Sequence, residues 1–326
     1  MKKHPIYKIF FSGLLSLVSL LSSIVAAQTF PNRAITLVVP FAAGGGADIV
    51  GRLLAQKVSE NIGQQMIVEN RAGAAGNIGA SYVAKSKPDG YTLLLTGPNH
   101  TTNVSLFRHL TYDPIKDFAP IALLTGAPYL LVVNPSINVK NLTELIAFAR
   151  TANKPIAYGS AGNGTAGHLA MELLKNLTGI EMLHVPYKGS SPMLTDLIGG
   201  RVLVGFDNVL SALPYISANQ LRAIASSAAQ RTSNLPTIPT IAESGLPGFE
   251  VMVWQGVLAP AETPADVITL LNQQFISALK TPSVTERLAA MNIELFGNQP
   301  NEFAQFLKKD IAKWAEVVKK SGAQVD

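Results

Sequence analysis

No cysteine occurs anywhere in the 326 residues. That excludes disulfides, thiol nucleophiles and cysteine-ligated zinc. Charge is sparse as well: Asp, Glu, Lys and Arg make up 14% of the chain, with a formal net charge of +5. Lys2, Lys3 and Lys8 all fall near the N-terminus, so the remainder is only mildly basic. It lacks the electrostatic footprint of a nucleic-acid binder, and no nucleic-acid partner is expected. The five histidines show no HxH or HExxH spacing, so no metal site is expected. After the N-terminal segment, no run is apolar enough to span a membrane.

What the N-terminus does have is an export signal. The three lysines precede an apolar, Ser/Leu-rich run over residues 9–25, and Val25-Ala26-Ala27 supplies small residues for cleavage after Ala27. A retained anchor is the other reading of a run close to the ~18 residues of a spanning helix, but the small-residue exit favours cleavage. With no cysteine behind it, the new N-terminus carries no lipid. An exported chain without cysteine fits a bacterial periplasm. The mature part is long enough for one large or two ordinary α/β domains.

Strand and helix patterns alternate along that part. ITLVV (35–39), MIVEN (66–70) and TLLLT (92–96) read as strands, with helices after 47 and 74 and a Pro-Asp-Gly turn at 88–90. Residues 120–133 form one or two long apolar strands, and 141–154 a capped helix. IAYGS, HVPYKG and RVLVGFD follow as strands joined by helical connections. After VMVWQGVLAP (251–260) come three amphipathic helices over 264–280, 283–291 and 300–321. Short apolar strands separated by helix-length crossovers indicate parallel sheets covered on both faces.

One unit occurs twice. LVVPFAAGGGADIVGRLLAQKVSENIGQQMIVEN and PIAYGSAGNGTAGHLAMELLKNLTGIEMLHVPYKG each read strand, Gly-rich turn, helix, closing glycine (Gly63, Gly179) and second strand. The first turn contains Gly44, Gly45 and Gly46. Glycines there allow positive φ and close approach of backbone N–H groups, and the helix N-terminus behind them favours an anion. Two such units predict two lobes whose helix N-termini lie beyond the carboxyl ends of their strands, where open α/β sheets hold ligands.

The enzyme readings fare poorly. Gly46 to Gly51 has P-loop spacing, but Arg52-Leu53 stands where Lys and Ser/Thr are required. A dinucleotide fingerprint lacks its third glycine, which would fall at Ile49. Ser160 lies in Tyr158-Gly159-Ser160-Ala161-Gly162, which is not a nucleophile elbow, and no residue pattern pairs a nucleophile with a base. His168 reads as a helix histidine that is capped at Nδ1 or faces solvent. Asp48, in the first turn of its helix, complements the dipole in preference to contacting a ligand.

The motifs VPFAAGGGAD (39–48), ENRAGAAGNIGA (69–80), PDGYTLL (88–94), YGSAGNGTAGHLAMEL (158–173), VPYKGSSPMLTDLIGGRV (185–202), FDN (206–208) and LPTIPTIAESGLPGFE (235–250) together resemble the Bug family. These are extracytoplasmic solute receptors of tripartite tricarboxylate transporters, and the resemblance covers essentially the whole mature chain. It implies a two-lobed α/β fold like that of periplasmic binding proteins, with type II topology, each lobe a mostly parallel sheet flanked by helices. Lobe one is expected over 28–128 and 253–326 and lobe two over 129–252, with Trp254 near the hinge. The resemblance further implies a small carboxylate ligand (a di- or tricarboxylate, an acidic amino acid or an aromatic acid), delivery to membrane subunits, no catalysis and no cofactor. A monomer is expected.

Matched position by position, the resemblance puts Phe41, Ala42, Ala43, Gly44 and Gly45 in the first-lobe ligand loop. It puts Ser160, Ala161, Gly164 and Thr165 in the second, with His168 starting the helix behind it and Asp207 at a cleft-facing strand end. Asp48 and Asn99 complete the candidate set. Gly97-Pro98-Asn99-His100 and Lys188-Gly189-Ser190-Ser191 depart from the usual family pattern, which leaves the distal end of the ligand open. Two rivals remain: a receptor reporting to a signalling partner, and a carboxylate-processing enzyme using Asp48, His168 and Asp207.

Overall fold

The computed structural model describes residues 30–232 and 235–321. The expected export signal and its cleavage site lie outside the described residues. Strands β1 (Ile35–Val39), β2 (Met66–Asn70) and β3 (Thr92–Thr96) are parallel neighbours in the order β2-β1-β3. Their connections are helices α1 (Gly46–Ile62) and α2 (Asn77–Ala84), the latter preceded by a 3₁₀ turn over Ala74–Gly76. The second half repeats this: β5 (Ile156–Ser160), α5 (Ala166–Thr178), β6 (Met182–Pro186), α6 (Ser190–Ile198) and β7 (Val204–Asn208) give β6-β5-β7, again parallel. Helices α1 and α5 even stop alike. Gly63 (φ 69°, ψ 15°) and Gly179 (φ 67°, ψ 18°) are both left-handed and donate to Ser59 and Lys175 carbonyls.

Strand β4 (Phe118–Val133) ties the halves together, because its 16 residues belong to both sheets. Residues from Phe118 to Pro128 pair antiparallel with β9 (Met252–Pro260), which in turn borders β3. From Tyr129 to Val133 the partners become β7 and β8 (Arg222–Ser226). The two sheets therefore run β2-β1-β3-β9-β4 and β6-β5-β7-β4-β8, the same arrangement made twice.

Strand directions follow from the register. Pro128 faces Met252 at the crossing and Phe118 faces Pro260 far from it, so β9 runs away from the crossing and β3 toward it. Tyr129 faces Asn208 while Val133 faces Val204, so β7 also ends at the crossing. The carboxyl ends of β1, β3, β5 and β7 thus all point to the place where the chain passes from sheet to sheet.

Helix α3 (Asn99–Leu106) is an element the sequence reading missed. Its inner face is polar, with His100, Thr101, Thr102 and Asn103 all buried, so it shows no apolar period. Helix α4 (Leu142–Thr151) is capped by Asn141, whose side chain accepts the Glu144 N–H. Helix α7 (Val209–Ser217) follows β7; α8 (Ala265–Leu279), α9 (Pro282–Ala290) and α10 (Pro300–Ser321) follow β9, as expected. The short strand β10 (Glu294–Leu295) pairs with Thr125 and Gly126 of β4.

Helix α10 spans the two halves. Phe303 and Leu307 pack with Val38, Leu94 and Trp254, whereas Trp314, Val317 and Val318 enter the core with Leu169, Leu174 and Phe206. Trp254 sits opposite Gly126, next to the crossing, and donates its Nε1–H to Asp310 of α10 at 3.3 Å.

Candidate functional site

The first Gly-rich turn leaves β1 at Pro40 and enters α1 at Gly46. Gly44 carries the positive φ, at 81°, while Gly45 is an extended N-cap at φ −76°. Asp48 holds the turn from behind. Its Oδ2 accepts the Gly44 N–H at 2.9 Å and the Arg52 Nε–H at 3.0 Å, and its Oδ1 accepts from Asn70 Nδ2 at 2.9 Å. Asn70 Nδ2 also donates to the Phe41 carbonyl at 3.1 Å, and Arg52 donates to Asn70 Oδ1 at 2.9 Å. The Arg52 and Gly44 donors hold the Asp48 carboxyl down to about 2 although burial opposes them. Both Asp48 oxygens are thereby occupied inside the protein. The groups left facing outward are backbone ones: the N–H groups of Ala42 and Ala43 find no acceptor among the described residues. Those of the first turn of α1 precede any intrahelical acceptor.

The second turn is built the same way with different chemistry. His168, like Asp48 the third residue of its helix, accepts at Nδ1 the N–H of the glycine four residues back, Gly164 (φ 72°), at 3.1 Å. Accepting there fixes its neutral Nε2–H tautomer, and burial lowers its pKa further. Thr165 is the N-cap. Its hydroxyl donates to the Gly162 carbonyl at 2.8 Å and accepts the His168 N–H at 3.4 Å. The Ala161 carbonyl accepts from Gly189 N–H at 3.0 Å, which joins this turn to the start of α6.

Behind Ser160 lies an arrangement the sequence reading denied. Its Oγ is 2.7 Å from His184 Nε2 and donates or accepts within the turn at Gly162, with O and N at 3.1 and 3.2 Å. A serine hydroxyl is therefore paired with an imidazole after all. The pair is poorly suited to nucleophilic catalysis. Ser160 is fully buried, and burial beside His168 pushes His184 down to about 4. The His184 ring stacks on His168 at 3.9 Å and on Tyr158 at 4.9 Å. Tyr158 donates to Glu172, which Lys175 also binds. No local signal marked His184, because its partner lies 24 residues away on another strand.

At the end of β7, Asp207 is 2% exposed. Its Oδ1 accepts from the Ser190 hydroxyl at 2.7 Å, the Asn208 N–H at 2.8 Å and Asn208 Nδ2 at 3.1 Å. Its Oδ2 is buried with no partner, and burial pushes the group up to about 6. The Tyr129 hydroxyl is raised in turn, by burial and by the nearby Asp207 charge. Asn99, at the start of α3, donates to the Ala75 carbonyl at 3.2 Å, and Asn103 donates to the same oxygen at 3.0 Å. Between them they hold a turn in which Ala74 and Ala75 have φ of 46° and 51°, a strained conformation for alanine.

The candidate residues thus fall at the carboxyl edges of both sheets, on either side of the crossing. Comparison with known proteins points the same way. The receptor of the tripartite tricarboxylate transporter family (TctC) matches residues 50–323. Protein BugT of Bordetella pertussis is 36% identical over 303 residues, covering 92% of this chain and 93% of that one. Among solved structures, R. palustris Rpa4515 with adipate is 41% identical (TM-score 0.79), covering 91% of this chain and all of that one. MatC of Rhodopseudomonas palustris with bound malate is 34% identical (TM-score 0.75), covering 89% and 100%. The fold is that of the two-lobed periplasmic binding proteins. The chain belongs to the tripartite tricarboxylate transporter receptor family of solute-binding proteins, the Bug receptors.

Proposed function

We propose that this protein is a periplasmic receptor that closes two lobes on a small carboxylate and delivers it to the membrane subunits of a tripartite tricarboxylate transporter. The observation that carries the reading is the pair of latched turns, each placing a helix N-terminus and free backbone donors at the sheet edge facing the crossing. Such donors bind a carboxylate without a buried counter-ion and its desolvation cost. Each charge-assisted bond contributes ~1.5–3 kcal/mol, and two or three at each ligand end, less the cost of closing, leave about the 8 kcal/mol of a micromolar receptor. The bound adipate and malate of the two similar structures fit this class of ligand.

In this reading residues 28–128 and 253–326 make one lobe and 129–252 the other, with cleavage of the export signal after Ala27. The change of partners along β4 supports the boundary, and α10 acts as a strut between the lobes because its last turns pack into the second core. Phe41 to Gly45, Ser160 to Thr165, Asn99 and Asp207 line the cleft, while Asp48 and His168 position the turns. A thermal-shift panel of succinate, malate, adipate, citrate, benzoate, aspartate and glutamate tests the proposal, since a ligand that binds only the folded state raises its Tm. At least one member should raise it. No shift with any member, or mass-spectrometric detection of a product made from a bound acid, would overturn the receptor reading.

A further inference from the structure

The two oxygens of Asp207 are treated very differently. Three donors converge on Oδ1, and none reaches Oδ2, although that atom is inaccessible to water. A buried carboxylate oxygen without a donor carries a large desolvation cost, which a proton on that oxygen removes. Asp207 also stands at the end of β7, beyond the carboxyl end of β5, with Ser190 at the start of α6 beside it. Asp207 is therefore at the edge where the receptor reading puts an anionic ligand.

We propose that Asp207 enters the closed complex as the neutral acid and donates its Oδ2–H to a carboxylate oxygen of the ligand, so that the receptor takes up a proton with its anion. The inference rests on the carboxylate reading above. The proton comes from solvent, settles on Oδ2 and is released when the ligand leaves; no covalent bond changes. A second negative charge arriving beside Asp207 raises its proton affinity further, which couples the two events. Burial has already pushed the free group up to about 6. The titratable neighbour facing it is Tyr129 on β4, which stays neutral throughout, while Ser190 of α6 and Asn208 contribute only neutral donors. Burial lowers both His168 and His184, the latter to about 4, and so favours their neutral forms.

Linkage gives the sign. The neutral fraction of a free acid with its midpoint near 6 falls from about a half at pH 6 to about one in a hundred at pH 8, so Kd should weaken by up to about 50-fold over that range. The test is calorimetry on the panel member with the largest thermal shift, run at pH 6, 7 and 8 in buffers of different ionisation enthalpy. We expect uptake of about one proton per ligand at pH 7.5. Asp207→Asn, whose amide is a permanent donor, should flatten the profile so that Kd at pH 8 is no weaker than at pH 6. Should that variant fail to fold, Ser190→Ala serves instead. It removes a donor that favours the ionised form and should move the profile to higher pH. A flat wild-type profile without proton uptake overturns the proposal and leaves the receptor reading standing. Binding confined to aspartate or glutamate, strengthening with pH and lost in Asp207→Asn, overturns it in favour of an ionised Asp207 accepting from the ligand ammonium. Absence of binding by every panel member removes both.

Discussion

Asp48 and His168 occupy the same place in the two halves of the protein. Each is the third residue of the helix after its Gly-rich turn, and each accepts the N–H of the glycine four residues upstream, at 2.9 and 3.1 Å. One latch is a carboxylate and the other a neutral imidazole, so the two turns differ in their response to acid. The Asp48 carboxyl is lowered from 3.8 to about 2 by Arg52 and Gly44, so its contribution to stability is complete above pH 4 and is lost as pH falls through 2. His168 is lowered from 6.5, chiefly by burial. Below pH 6.5 the unfolded chain takes up a proton there that the folded one resists, so this contribution is lost from pH 6.5 downward. Amide exchange in residues 161–165 should therefore accelerate, relative to the intrinsic rate, as pH falls below 6.5, while residues 41–45 stay protected until below pH 4. Parallel behaviour of the two turns would show that the latches do not govern them.

The glycine triplet gives a second prediction. Of its members Gly44 has the positive φ, 81°, and Gly45 is extended at −76°. Gly44→Ala should cost about 1–2 kcal/mol of stability from backbone strain alone, since a Cβ there meets nothing within 4 Å. Gly45→Val faces no such strain, but its branched side chain stands where backbone donors must reach the ligand. We expect its urea midpoint to stay near wild type while affinity falls roughly tenfold, about 1.4 kcal/mol. The two variants separate folding from binding within adjacent residues.

How far the sequence could be read depended on where its signals were local. The five-residue strands, the 16-residue β4 and the closing glycines at 63 and 179 were all legible because apolar runs and turn chemistry lie within a few residues. Helix α3 was not, because its buried face is Thr, Asn and His, with partners as distant as Asp310, which accepts from Thr101 at 2.6 Å. For His168 the sequence allows a capped or a solvent-facing imidazole, and the Nδ1 bond selects the capped one. The equivalence of Asp48 with His168 leaves no mark in the sequence, since the residues share a position and not a chemistry. His184 and the orphan Oδ2 of Asp207 depend on contacts between strands, which no single segment encodes.

The family resemblance places Thr165 and Ser160 in the second-lobe ligand loop. In the structure the Thr165 hydroxyl hydrogen is committed to the Gly162 carbonyl, and the Ser160 hydroxyl is enclosed by Gly162 and His184. Thr165→Val should therefore lower stability by about 0.5–2 kcal/mol, the range for a lost N-cap. Ser160→Ala should lower it by about 1 kcal/mol. Affinity should weaken less than tenfold in each, through the disorder of the turn. A loss of ten- to a hundredfold in affinity at an unchanged urea midpoint would mean that the hydroxyls turn to the ligand on closure.

The last prediction concerns how tightly the second turn is pressed onto β7. Gly167, in the first turn of α5, has no room for a side chain: a Cβ there would lie 2.3 Å from the Phe206 carbonyl oxygen. The obstacle is backbone in the middle of a buried strand, so no rotamer change relieves it. Gly167→Ala must push α5 away from β7, and we expect a cost of about 1–3 kcal/mol in spite of the higher helix propensity of alanine. Gly159→Ala is the informative companion, because its Cβ would meet Cγ of the Met193 side chain at 2.7 Å, an obstacle of side-chain and not backbone atoms. Displacing α5 also moves the 161–165 turn relative to Asp207, so Gly167→Ala should weaken ligand binding along with stability. Urea unfolding and calorimetry on the two variants decide the point. Equal stability losses at 159 and 167, or a wild-type affinity in Gly167→Ala, would show that α5 is not held against β7 by this contact.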